Sequence, residues 1–367
     1  MRPGTIAKIL RVPALAAAGL LLLPDPAWAW GPTTHVWLSS QILGNLGILP
    51  VVVRELLRGY PYAYLYGSIS ADITLAKKYV HYSRHCHNWN VGYEILDRAE
   101  TPPLQSFALG YLSHLAADTI AHNVFVPRML ASTPLTSNLG HTYWEYRYDA
   151  ALDDEYLKLA REIVTMDHEE PDALMEGVLT QAFFSFQTNK RVFERLIHLS
   201  NQERWHDLWV KMADKSRWEL AAEEVDRYGT LTRGYVENLL RVGAESLSQR
   251  LDPTGHERLA LAKKIRRRTF RSARREAGRD LATGTIGSAS LDDASRLLAT
   301  RPVPREEMEL LAEVWFPEPA WPPGYDATRV GNGRPVEDPA WFEEPEPRAF
   351  WDAYTAGRAL PTGSQGA

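Results

Sequence analysis

Seven of the eleven histidines lie between Trp30 and Glu145: His35, His81, His85, His87, His114, His122 and His141. Imidazoles among carboxylates, with almost no thiol, form a donor set suited to zinc. The spacing sharpens this. In His114-Leu-Ala-Ala-Asp118-Thr-Ile-Ala-His122, steps of four residues put three ligands on one stripe of a helix. His141-Thr-Tyr-Trp-Glu145 repeats the step, so both heads converge over one turn. A single such pair is commonly an exposed ion pair; two pairs, one with a third ligand in register, point to a metal centre. Between the N-terminal region and these helices, Gly67-Ser68-Ile69-Ser70-Ala71-Asp72 reads as a loop-like stretch ending in a carboxylate. Either His85 or His87 can complete a site with Asp72. His87 is preferred, leaving His85 or His81 for a supporting or substrate-facing role. Cys86, the single cysteine, allows no intramolecular disulfide; it reads as a buried thiol, with a weak metal ligand among the histidines as the alternative.

The N-terminus supplies one more ligand. Residues 1–29 carry Arg2, Lys8 and Arg11, an apolar run from Pro13 to Leu23, and Ala27-Trp28-Ala29. That is the order of a signal peptide with its cleavage site. Cleavage after Ala29 makes Trp30 the first mature residue, followed by Gly31-Pro32-Thr33-Thr34-His35. A free α-amine has a pKa of about 7.7–8.0, so near neutrality the amine and carbonyl of Trp30 can chelate one ion. The apolar run is shorter than the roughly 20 residues of a membrane span, and no other run reaches that length. The chain is expected to be exported, to a periplasm or to the medium, without a transmembrane anchor.

Taken together, these residues resemble the zinc-dependent phospholipase C family and the related single-strand-specific zinc nucleases. The Trp-Gly-x-x-x-His opening is closest to the nuclease branch; Glu145 and His87-Asn-Trp89 are closer to the phospholipase branch. The resemblance covers Trp30 to Tyr148 and implies an all-α bundle around a trinuclear metal site. It implies that Asp72, His87, His114 and Asp118 hold a first zinc. The Trp30 amine and carbonyl, His35 and Asp118 hold a second, and His122, His141 and Glu145 a third, about three ions per chain. Asp72 doubles as the candidate catalytic base. One departure is that His122 follows Asp118 by only four residues, less than is usual in the family. The implied activity is cleavage of the glycerol–phosphate bond of phospholipids, with a nuclease or nucleotidase on the same metals as the alternative. The rival from another class is a metal-stapled binding protein without turnover.

The elements that must position these residues read as helices. Leu104 to Val126 is a strong helix stopped by Pro127, and a second runs from Ser137 or Asn138 towards Ile163. Helical periodicity continues through 172–199, 203–226 and 230–250. The tyrosines Tyr60, Tyr62, Tyr64, Tyr66, Tyr79 and Tyr82 are expected mainly in core and rim packing, with some available to a head group or base. Lys263, Lys264, Arg266, Arg267, Arg268, Arg271, Arg274 and Arg275 form a basic run. Its ordinary meaning is a solvated face; its sharper one is peripheral contact with an anionic membrane. Residues 301–367, rich in proline, acid and tryptophan, read as an extended segment distinct from a helical domain over 30–300. A formal charge of −5 argues against nucleic acid as anything but a substrate.

Overall fold

The computed structural model describes residues 30–74, 80–133, 138–180, 182, 184–199 and 220–282. Residues 1–29, expected to be a signal peptide, residues 301–367, most of the 203–226 periodicity and Tyr79 lie outside the described residues. Among the described residues the chain is helical and contains no strand. It is the all-α architecture expected.

In chain order the helices are α1 (Pro32–Leu43), α2 (Val51–Gly59), α3 (Pro61–Ile73), α4 (Trp89–Asp97) and α5 (Pro102–Ile120). There follow α6 (Val126–Ser132), α7 (Asn138–Asp149), α8 (Asp154–Thr165), α9 (Glu169–Val178), α10 (Phe186–Leu199), α11 (Ala222–Val242) and α12 (His256–Ala282). Helix α5 is the axis of the fold, with every residue from Ser106 to Ile120 buried. A helix enclosed on all sides has no polar face, so its His114 and Asp118 must be satisfied inside the protein. Helix α3 crosses α5 at a pair of glycines. A Cβ on Gly67 would lie 2.0 Å from the Phe107 carbonyl oxygen, and one on Gly110 would lie 2.0 Å from that of Tyr64. The two backbones therefore touch, which brings Asp72 on α3 beside His114 and Asp118 on α5.

Three local expectations are corrected. Asp72 lies in the last turn of α3 rather than in a loop. Gly67, Ser68 and Ser70 are weak helix formers, but both serine hydroxyls donate back to carbonyls of their own helix, Leu65 and Tyr66, and the segment is buried. Tertiary burial outweighs propensity there. Pro127 does not end the helical path: Ala121–Phe125 forms a wider π turn, and Pro127 falls in the first turn of α6, the part of a helix that tolerates proline best. The helix expected to reach Ile163 breaks after Asp149, because the Asp153 carboxylate accepts from the Glu155 amide and starts α8.

The basic run is only partly a solvated face. Ile265, Arg266 and Thr269 of α12 are buried, whereas Lys264, Arg267, Arg268, Arg271 and Arg275 are exposed. The helix packs along α6 and the π turn.

Candidate metal centre

Two clusters of buried imidazole and carboxylate meet inside the bundle. In the first, Asp118 faces in two directions. Its Oδ1 lies 3.3 Å from His35 Nε2, and its Oδ2 lies 3.1 Å from His87 Nε2 and 3.3 Å from His114 Nε2. Asp72 Oδ1 closes the group at 3.3 Å from His87 Nε2 and 3.9 Å from His114 Nε2. The His35 and His114 rings stack at 3.9 Å. All five residues are at most 1% exposed. In the second cluster, His141 Nε2 lies 2.7 Å from Glu145 Oε1, and the His122 ring meets His141 edge-on at 5.1 Å. The π turn resolves the short spacing to His122: residue 122 sits within it, where the side-chain register departs from the α-helical four-residue step.

The far sides of the rings fix which nitrogen faces inward. His114 Nδ1 donates to the Ser68 carbonyl at 2.8 Å, and His122 Nδ1 donates to the Pro253 carbonyl at 2.5 Å. A neutral imidazole carrying its proton on Nδ1 presents a bare lone pair on Nε2. His114 directs that lone pair at His87 Nε2, 3.0 Å away. Among the described residues, Nε2 of His35, His122 and His141 and both Asp118 oxygens are buried without a hydrogen bond. Lone pairs and carboxylate oxygens gathered in a dry interior repel one another, and a cation at their centre removes the penalty. Backbone carbonyls on the outer nitrogen of the histidines are the usual second half of a metal site. The residues present therefore fit a divalent metal.

Protonation agrees with that role. Burial, then the neighbouring His114, lowers the His35 pKa to about 4. Burial lowers His122 and, with His122 and Lys263 nearby, holds His141 well below its usual range. Burial alone would raise Asp118, but His114 and the contacts from His35 and His87 outweigh it and hold the carboxyl well below the ordinary range. Neutral rings and an ionised carboxylate are the ligand forms metals require.

The structure brings His87, not His85 or His81, to Asp72. His85 turns its Nδ1 to the His87 amide at 3.1 Å, and exposed His81 accepts from the Ser83 amide at 3.4 Å. Cys86 is buried, with Sγ 3.3 Å from His87 Nδ1, on the side of the ring away from Asp72. His85, Cys86 and His87 also place ligand atoms within 4.8 Å of one another, but His87 spends its Nε2 on the aspartates. Trp30, fully buried, stacks on Phe125 at 4.7 Å and meets Tyr148 at a tilt at 4.0 Å, residues that follow His122 and Glu145 on their own elements. Tyr64 and Tyr66 are core, donating to Ser113 and Asp172, while Tyr60, Tyr62 and Tyr82 are exposed.

Sequence reasoning missed three supports. The carbonyls of Ser68 and Pro253 carry no side-chain signal. Asp149, one turn beyond Glu145, accepts from the Thr33 and Thr34 amides and the Thr34 hydroxyl, and so fixes the first turn of α1 ahead of His35. Its four-residue step from Glu145 was the available clue.

The model of one family, zinc-dependent phospholipase C, matches residues 34–197. The match begins at the turn carrying His35 and ends in α10, beyond Tyr148 where the resemblance in the sequence stopped. No curated protein and no solved structure matches the chain.

Proposed function

From the premise that residues 34–197 form a domain of the zinc-dependent phospholipase C family, a family of phosphodiester-hydrolysing enzymes, we propose that this chain is an exported phospholipase C. It cleaves the glycerol–phosphate bond of phospholipids, and it binds three zinc ions. Asp72, His87, His114 and Asp118 hold one. His35, Asp118 and the amine and carbonyl of Trp30 hold a second, and His122, His141 and Glu145 hold the third. The observation that carries this reading is Asp118, buried and ionised, with one oxygen towards His35 and the other towards His87 and His114.

Bound zinc supplies Lewis acidity and an acidified water at neutral pH. The residues do the rest. Asp118 orients two ligand groups at once, so their spacing follows one carboxylate. Asp72 accepts the proton of the attacking water as well as holding metal. Nine ligands with three carboxylates leave three zinc ions net positive, the charge that favours a phosphodiester whose transition state gathers negative charge on oxygen. Buried walls of α3, α5 and α7 exclude competing water and strengthen these interactions.

Support for export and for the Trp30 ligand comes from residues 1–29, which have the pattern of a cleavable signal ahead of Trp30. The test is elemental analysis of the mature protein, with parallel assays on phosphatidylcholine and single-stranded DNA and RNA. Release of phosphocholine with about three zinc ions is the expected outcome. Nucleotide release without phosphocholine assigns the site to a nuclease. Bound metal with neither product makes it a structural staple.

A further inference from the structure

Helix α12 separates its cations into two faces. On a helix of 3.6 residues per turn, Lys264, Arg267, Arg268, Arg271 and Arg275 fall within an arc of about 100°, and all five are exposed. The opposite face buries Leu259, Ala262, Ile265, Arg266 and Thr269. Glu257, at the start of the helix, is the only acid among its described exposed residues. The five cations extend over three turns, about 16 Å at 1.5 Å per residue.

The same helix begins at the metal centre. The carbonyl of Pro253, just before it, accepts the hydrogen bond from His122 Nδ1. Gly255, at φ +55°, lies so close that a Cβ there would meet the His122 carbonyl oxygen at 2.3 Å. One rigid element thus carries a positive outer stripe and abuts the second metal cluster.

We propose that the exposed face of α12 docks this enzyme on anionic phospholipid bilayers. The proposal rests on the phospholipase reading above and adds the class of surface on which the enzyme works. Charge complementarity carries it: five cations on one face match a negatively charged lipid surface, and the helix bearing them is fixed to the centre that would cleave the lipid. The other occupant of matching charge is the chain's own residues 301–367, which hold twelve acidic side chains against six arginines.

The experiment compares the mature full-length protein with the R267Q/R268Q/R271Q variant. Co-sedimentation is measured with vesicles of phosphatidylcholine alone and of phosphatidylcholine with phosphatidylserine, at low and high salt. Hydrolysis of a short-chain soluble phosphodiester is followed alongside. Each basic side chain near such a surface contributes roughly 1 kcal/mol, so the variant should lose affinity for the anionic vesicles on the order of 100-fold. Salt should weaken the wild type similarly, and cleavage of the soluble substrate should not change. Equal binding by both proteins, or a wild type indifferent to phosphatidylserine, overturns the proposal. If that indifference comes with a lower melting temperature of the variant, the face belongs to residues 301–367. A wild type that binds anionic vesicles but cannot cleave the soluble phosphodiester overturns the phospholipase reading and leaves the docking face standing.

Discussion

Asp118 shows how much one side chain can decide. It is fully buried, kept ionised by three histidines, and aimed with one oxygen at His35 and the other at His87 and His114. Asp118→Asn keeps the shape but removes the charge both groups share. Two zinc ions should be lost together, and activity should fall by more than the roughly 10–100-fold typical of outer-shell partners. His122→Ala should release one ion and leave the other two, which elemental analysis separates. Cys86 provides a finer test. Its thiol contacts the outer nitrogen of His87, the place that backbone carbonyls take on His114 and His122. Cys86→Ala should weaken zinc binding at the Asp72 group by about 10–100-fold, with Cys86→Ser restoring much of it. Unchanged zinc affinity in the alanine variant would reduce the thiol to packing.

At the scale of elements, close approach governs the site. The glycine crossing of α3 and α5 sets Asp72 against His114, and the π turn re-aims His122 after one α-helical step too many. Gly255 presses on that turn from the start of α12, with a left-handed backbone and no room for a methyl group. Gly255→Ala should therefore cost at least the ~1–2 kcal/mol of a left-handed L-residue and displace His122. The expected readout is loss of one zinc with the other two retained; full stoichiometry at an unchanged melting temperature would mean the contact yields freely. A second device lies away from the candidate metal centre. Asp172 of α9 accepts from Lys190 of α10 at 2.7 Å and from Tyr66 of α3, whose ring stacks on His168 at 3.6 Å. This buried pair ties three helices together. Removing one partner strands the other charge, so Asp172→Ala should lower stability by about 3–5 kcal/mol in urea unfolding. The double replacement with Lys190→Met should be less harmful than the single change.

Across the whole molecule, the proposed export signal would set where the folded chain starts. Trp30 is seated against Phe125 and Tyr148, and Asp149 holds the turn that follows. If the mature chain begins there, a version retaining one residue before Trp30 cannot offer a free amine at that position. It should lose one zinc and most activity, read by elemental analysis and phosphocholine release. Full activity would remove the N-terminal chelate and leave His35 and Asp118 to hold that ion with other ligands.

The helical candidates for the site were legible in the sequence because helical geometry is local. A four-residue step places His114 with Asp118, and His141 with Glu145, on common faces whatever surrounds them. The all-α class followed from the same periodicity, and the resemblance to the zinc-dependent phospholipases followed from the order of the ligands. Contacts between distant segments were not legible. The choice of His87 over His85 depends on which ring the turn after Tyr82–Arg84 rotates inward. The helical state of Asp72 depends on burial that overrides weak propensity. The reach of His122 depends on a π turn held by the Pro253 carbonyl, 131 residues away. The division of the basic run into five outward cations and a buried Arg266 depends on the packing of α12. Sequence spacing determines which side chains share a helix face; only tertiary packing decides which faces meet, because that choice rests on burial and close contact between residues far apart in the chain.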